Sequence, residues 1–208
     1  MSQLSDRFVT WSVIITALML FVVAGLVGGP DNLREVAAIH SLEAYRTAHV
    51  ALTKQAIVIT HIGGATMMIG TLAVVIAWLA YSRRWRPAIS LTVIVVGGRI
   101  AVELLKLATQ RPRPFFSPYP VEIVSLSFPS GHAANTMITF LALALIAAPA
   151  KNRSAAIAVA AAMSVLIGLT RPLLGVHWPS DVVGGWAFGI AWVVVGVVLS
   201  RRWIDPLK

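Results

Sequence analysis

Of the 208 residues, 58% are apolar and 12% are charged, and mean hydropathy is +0.82, against roughly 45–50% apolar and 25% charged in soluble domains. That balance excludes an ordinary water-soluble globule and points to a chain embedded in a bilayer. The absence of cysteine excludes disulfides and thiolate metal sites, and the formal net charge of +9 must be explained by where the basic residues fall.

A hydrocarbon core takes about 20 apolar residues per helical span. Apolar runs at 8–28, 56–81, 88–107, 131–149, 155–170 and 181–200 predict an all-α bundle of six transmembrane helices. The first run reads as an anchor and not as a signal peptide, because its apolar core exceeds the usual ~7–15 residues and only Arg7 supplies clear positive charge before it. Between the first and second spans, Asn32 and Glu35 stand at capping-box spacing ahead of a mixed apolar and charged run, which predicts a short extracytoplasmic helical segment lying on the surface. The fifth run is short against the usual range of about 17–25 residues, so its helix is expected to continue into 171–174. No repeat or flexible linker divides the chain, and a single domain over 1–208 is expected.

Basic residues concentrate in short cytoplasmic loops. Arg7, the loop with Arg83, Arg84 and Arg86, the loop with Lys151 and Arg153, and the tail with Arg201, Arg202 and Lys208 together hold more than half of the 17 Lys and Arg residues. With six spans these segments share one side, so both termini are expected to be cytoplasmic. Segment 29–55, on the other side, balances Arg34, Arg46 and Lys54 against Asp31, Glu35 and Glu43. The net charge is therefore mainly a topology signal, and a nucleic-acid partner, which needs a basic face or a binding motif, is not expected.

Lys106, Arg111, Arg113 and Arg171 oppose this rule, since they fall in the third-to-fourth and fifth-to-sixth connections. Two spans separate these connections, so both emerge at the same face. Lys106, Arg113 and Arg171 would form a pocket for a polyanion, with the guanidinium forks suited to phosphate oxygens. Ser130 and Gly131 precede the fourth run, where the free N–H groups of a helix start favour phosphate. His132, His177 and Asp181 complete the cluster: an imidazole that attacks phosphorus needs a carboxylate to fix its tautomer, and Asp181 follows His177 by one helical turn. Pro179 fits the first turn of the last helix.

These residues resemble the type 2 phosphatidic acid phosphatase superfamily of membrane lipid phosphatases. Its three-part signature is matched by Lys106 with Arg113-Pro114, by Pro129-Ser130-Gly131-His132, and by Arg171, His177 and Asp181. The resemblance implies a six-span fold with the motif loops on one face, and His177 as the nucleophile that forms a phosphohistidine, oriented by Asp181. It implies His132 as the group that protonates the leaving oxygen and later helps to activate water. Lys106, Arg113, Ser130, Gly131 and Arg171 would hold the phosphate, with no metal and no cofactor. Thr170 stands where the family has serine and is a candidate contact only. Arg111-Pro112 is a second Arg-Pro pair at the wrong spacing from Lys106, which leaves Arg111 as a candidate substrate or headgroup contact.

Arg99, Glu103 and Lys106 share one helix face, and Glu103 is expected to pair with Arg99, Lys106 or both and so to position Lys106. His61 is expected to make a structural hydrogen bond. Gly185 and Gly189 form a small-residue spacing suited to close helix packing inside the bundle. The leading expectation is a lipid phosphatase of the bacterial cytoplasmic membrane, with its site at the extracytoplasmic face and undecaprenyl diphosphate as first substrate. Phosphatidylglycerophosphate, phosphatidate and lipid A are the alternatives. A lipid-binding or transport protein would account for the cations, but not for two histidines and an aspartate.

Overall fold

A computed structural model describes residues 2–116, 118–123 and 125–204; Lys208, counted above in the tail, lies outside these residues. The described chain is all-helical: α1 Ser2–Val27, α2 Leu33–Ala48, α3 Val50–Ile62, α4 Ala65–Tyr81, α5 Trp85–Thr109, α6 Gly131–Ile146, α7 Arg153–Leu173 and α8 Pro179–Ile204, with a 3-10 turn at Ala150–Asn152 before α7. Helix α7 extends through Leu173 as expected.

Among the described residues, four helical stretches are long and apolar enough to cross a bilayer: Arg7–Val27, Trp85–Thr109, Ala150–Leu173 and Pro179–Arg201. The run at 56–81 is not one straight helix. It breaks at Gly63-Gly64, where α3 and α4 meet at 41°, and taken as one bent span it brings the number to five. Glycine suits the break sterically: a Cβ at Gly63 would press into Ile167, Thr136 and His132. Helix α6 is apolar but only 16 residues long, about 24 Å at 1.5 Å per residue, against a hydrocarbon core of about 30 Å. It is the central helix, packed against α5, α7 and α8 and buried along most of its length.

Helix α8 also packs closely against α1. Its glycines decide how near it comes to α6: a Cβ on Gly185 would stand 2.8 Å from the Ser130 carbonyl oxygen, and one on Gly189 would stand 2.8 Å from the Met137 Cβ. The small-residue spacing thus serves packing inside the bundle. The core joins Leu91, Val95 and Val102 of α5 to Ile138 and Ala142 of α6 and Val193 of α8.

Between α1 and α3, Asn32 caps α2, its side chain accepting from the N–H groups of Arg34 and Glu35 at 3.0 and 3.3 Å. Glu35 does not complete the capping box. Its carboxylate instead accepts from the N–H groups of Gly29 at 2.7 Å and Ser180 at 2.6 Å, and so ties the start of α2 to the start of α8.

Candidate active site

One end of the bundle gathers the C-termini of α1, α5 and α7 and the N-termini of α6 and α8. Gln110, in the left-handed conformation at φ 49°, ends α5 with its N–H on the Lys106 carbonyl, and the following segment returns across this end of the bundle. Hydrogen bonds seat that segment: the Ser127 N–H reaches the Arg111 carbonyl at 3.0 Å, and the Ser130 N–H reaches the Asp181 carbonyl at 2.9 Å. The second pins the start of α6 to the start of α8.

Asp181 lies in the first turn of α8 and reaches back to the Trp178 N–H through Oδ2 at 2.9 Å, the acidic half of a capping box. The same oxygen receives the Ser127 hydroxyl and stands 3.2 Å from His177 Nδ1. Oδ1 takes Nη1 of Arg111 at 2.9 Å. On the far side of the imidazole, Nη1 of Arg113 is 2.9 Å from His177 Nε2. Because arginine has only donors, Nε2 must carry the lone pair and Nδ1 the proton, which it gives to Asp181. His177 is buried, and burial together with the charges of Arg113, Arg171 and Lys106 holds its pKa well below the ordinary 6.5. The ring is neutral near pH 7, with its lone pair on Nε2.

Arg113 is fastened by carbonyls, with Nε on Ser125 at 2.6 Å, Nη1 on Val176 at 2.5 Å and Nη2 on Leu126 at 3.1 Å. Burial lowers its pKa below the ordinary arginine value, but guanidinium remains protonated. Lys106 gives Nζ to the Ser125 hydroxyl at 2.8 Å and to Glu103 at 3.2 Å. A Cβ on Gly131 would come within 3.1 Å of that Nζ, so the glycine lets the lysine lie close against the start of α6. Arg171 is buried with Nη1 on the Thr60 hydroxyl at 2.6 Å, and its Nε has no partner. The Ser130 hydroxyl is likewise buried and unpartnered, and no side chain caps α6. His132 faces the charges of Arg171, Lys106 and Arg113.

All eight residues named from the motifs therefore converge at this end of the bundle, most of them buried: His177 is 1% exposed, Asp181 0%, Arg171 4% and Lys106 5%, while Arg113, Gly131 and His132 are part-exposed. Two readings change. Arg111 faces inward, where besides Asp181 it bonds the carbonyls of Ala24 and Gly25 and lies over the Phe128 ring, so it is a partner of Asp181 and not a headgroup contact. The Thr170 hydroxyl turns back to the Ile167 carbonyl. Glu103 pairs with Lys106, one of the two partners expected. His61 makes the local bond expected, Nδ1 to the Ile57 carbonyl at 2.6 Å.

Sequence reasoning missed Glu35, Thr60, Ser125 and Ser127. A threonine one helix away and two serines in an irregular segment carry no periodic signal, and the spacing of Glu35 from Asn32 suggested a purely local role.

Residues 87–205, which include every one of these motif residues, match the PAP2 superfamily. The chain belongs to that superfamily. It is similar to phosphatidylglycerophosphatase B of Bacillus subtilis (28% identical, over 74% of this chain and 83% of that protein). It is also similar to an undecaprenyl-diphosphatase of Sulfolobus acidocaldarius (26% identical, over 90% and 88%). The fold matches the crystal structure of a transmembrane PAP2-type phosphatidylglycerolphosphate phosphatase from Bacillus subtilis, with a TM-score of 0.80, 23% identity, and 94% of this chain and 97% of that one covered. Membership makes this PAP2 chain a multi-pass membrane phosphatase of lipids, a phosphate-ester hydrolase.

Proposed function

We propose that this PAP2 chain removes the terminal phosphate of a lipid phosphate or diphosphate through a phosphohistidine at His177, using side-chain cations in place of a metal. The hydrogen-bonded order Asp181, His177, Arg113 is the observation that carries this reading, because it presents an unprotonated Nε2 beside a guanidinium. The phosphate takes the place beside Nε2 that Arg113 Nη1 now touches. The Nε2 lone pair forms a bond to phosphorus while the bond to the lipid oxygen breaks, and His132 protonates that oxygen. Lys106, Arg113, Arg171, Ser130 and the N–H groups at Gly131 stabilise the equatorial oxygens. Water then attacks phosphorus, its proton passes to His132, and the P–N bond breaks to restore His177.

Six spans are read by counting α3 with α4 as one broken crossing and α6 as a short central one. The basic loops support cytoplasmic termini in a bacterial cytoplasmic membrane and a site at the extracytoplasmic face, within a single domain over 1–208. Undecaprenyl diphosphate stands first as substrate because it exposes a diphosphate at that face. Phosphatidylglycerophosphate is a second reading, favoured by the likeness to the B. subtilis proteins.

The test is the His177→Ala variant of the purified chain. Phosphate release is expected to fall more than roughly a thousandfold, and wild-type protein quenched during turnover is expected to carry acid-labile, base-stable phosphate. Release at the wild-type rate by the variant would refute the mechanism. A protein that only binds or transports anionic lipid would release phosphate in neither form.

A further inference from the structure

Beside the phosphate cradle, a cleft opens on the flank of α5. Arg99, Ile100, Glu103 and Leu104 of α5 line it together with Asn135 of α6. Ile100 and Leu104 are 57% and 60% exposed, so the cleft is open sideways, on a surface a bilayer would cover. Arg99 stands in the interior of a helix apolar enough to span a membrane, where an arginine costs at least about 2.5–3.5 kcal/mol and marks function by default. Glu103, four residues on, is drawn to Lys106 at 3.2 Å. Asn135 is 9% exposed, and its Oδ1 has no hydrogen-bond partner. The cleft adjoins the cradle: a Cβ on Gly131 would lie 3.9 Å from Asn135 Nδ2 and 3.1 Å from Lys106 Nζ.

We propose that Arg99 and Asn135 form a second headgroup subsite, which binds a further anionic, oxygen-rich group on the lipid side of the scissile phosphate. The proposal rests on the hydrolase reading above and names the feature that selects among its substrates. Lys106 and Arg99 lie seven residues apart on the same face of α5, about 10 Å along the axis. A lipid entering sideways with its terminal phosphate on Lys106 extends its linker toward Arg99. The guanidinium accepts a second anion, and the Asn135 amide offers both a donor and an acceptor to neighbouring oxygens or hydroxyls. A lipid with one phosphate and no further headgroup leaves both unpaired.

The test compares three lipids with the purified full-length chain: phosphatidate, phosphatidylglycerophosphate and an isoprenoid diphosphate. In Arg99→Gln, the ratio of kcat/KM for the better of the two doubly phosphorylated lipids to that for phosphatidate is expected to fall roughly ten- to a hundredfold, mostly through KM. Arg99→Lys is expected to restore part of it, and Asn135→Leu to lower the same ratio. An equal loss on all three lipids would mean that Arg99 acts through Glu103 and Lys106, and would overturn the proposal. An unchanged ratio in a folded Arg99→Gln protein would overturn it too. Wild-type protein that hydrolyses none of the three would sink the substrate reading proposed above, and the subsite with it.

Discussion

At the scale of single residues, the protonation of His177 sets the expected pH behaviour. Burial first, and then the neighbouring cations, push its pKa below 6.5, so the neutral ring persists into acid and the limb of kcat/KM set by the free enzyme's nucleophile falls below pH 6.5. Titrating kcat/KM between about pH 4 and 8 checks this; an acid limb at or above the ordinary histidine value would contradict it. The same depression means that the unfolded chain binds the proton more readily, so stability falls as pH drops below 6.5.

Arg111 makes a second residue-scale prediction. Its pair with Asp181 is buried on both sides, at 8% and 0% exposure, and removing one partner of such a pair costs about 3–5 kcal/mol. Arg111→Met is expected to lose thermal stability and, in the folded fraction, to lower kcat roughly ten- to a hundredfold, with KM little changed; Arg111→Lys is expected to recover part of kcat. The motif residues were legible because their types and spacings are imposed by phosphate chemistry. Arg111 was legible as a charge out of place, but its direction was not, since only the packing of Phe128 and the carbonyls of α1 turn it inward.

At the scale of elements, Glu35 shows how a local signal can be diverted. The capping spacing correctly located the start of α2, yet the carboxylate satisfies N–H groups of Gly29 and of Ser180 at the start of α8, where negative charge is favoured by the helix dipole. Glu35→Ala is expected to cost about 1–3 kcal/mol and to speed hydrogen exchange at the start of α8; unchanged exchange there would show that the tie does no such work. The break between α3 and α4 was illegible for a related reason. Two glycines inside an apolar run are compatible with a straight crossing, and the bend depends on Ile167 and Thr136 standing against Gly63.

At the scale of the whole molecule, the basic loops and the cleft of motif residues lie at opposite ends of the bundle, which yields a topology test on the cysteine-free chain. Glu122 and Ser82 are both exposed. A cysteine at Glu122 is expected to react with an impermeant reagent in intact cells and one at Ser82 only after permeabilisation; the reverse pattern would invert the proposed orientation.

Composition alone dictates the bilayer, because so few charges and so much apolar surface have no other stable solvent, and the motif spacing alone dictates a phosphate chemistry. Neither dictates which nitrogen of His177 holds the proton, that Arg111 serves Asp181, or that Asn135 and Arg99 share a cleft. Those depend on residues far apart in the chain and brought together by α1, α5, α6 and α8, and a hydrogen bond between distant residues leaves no trace in local periodicity.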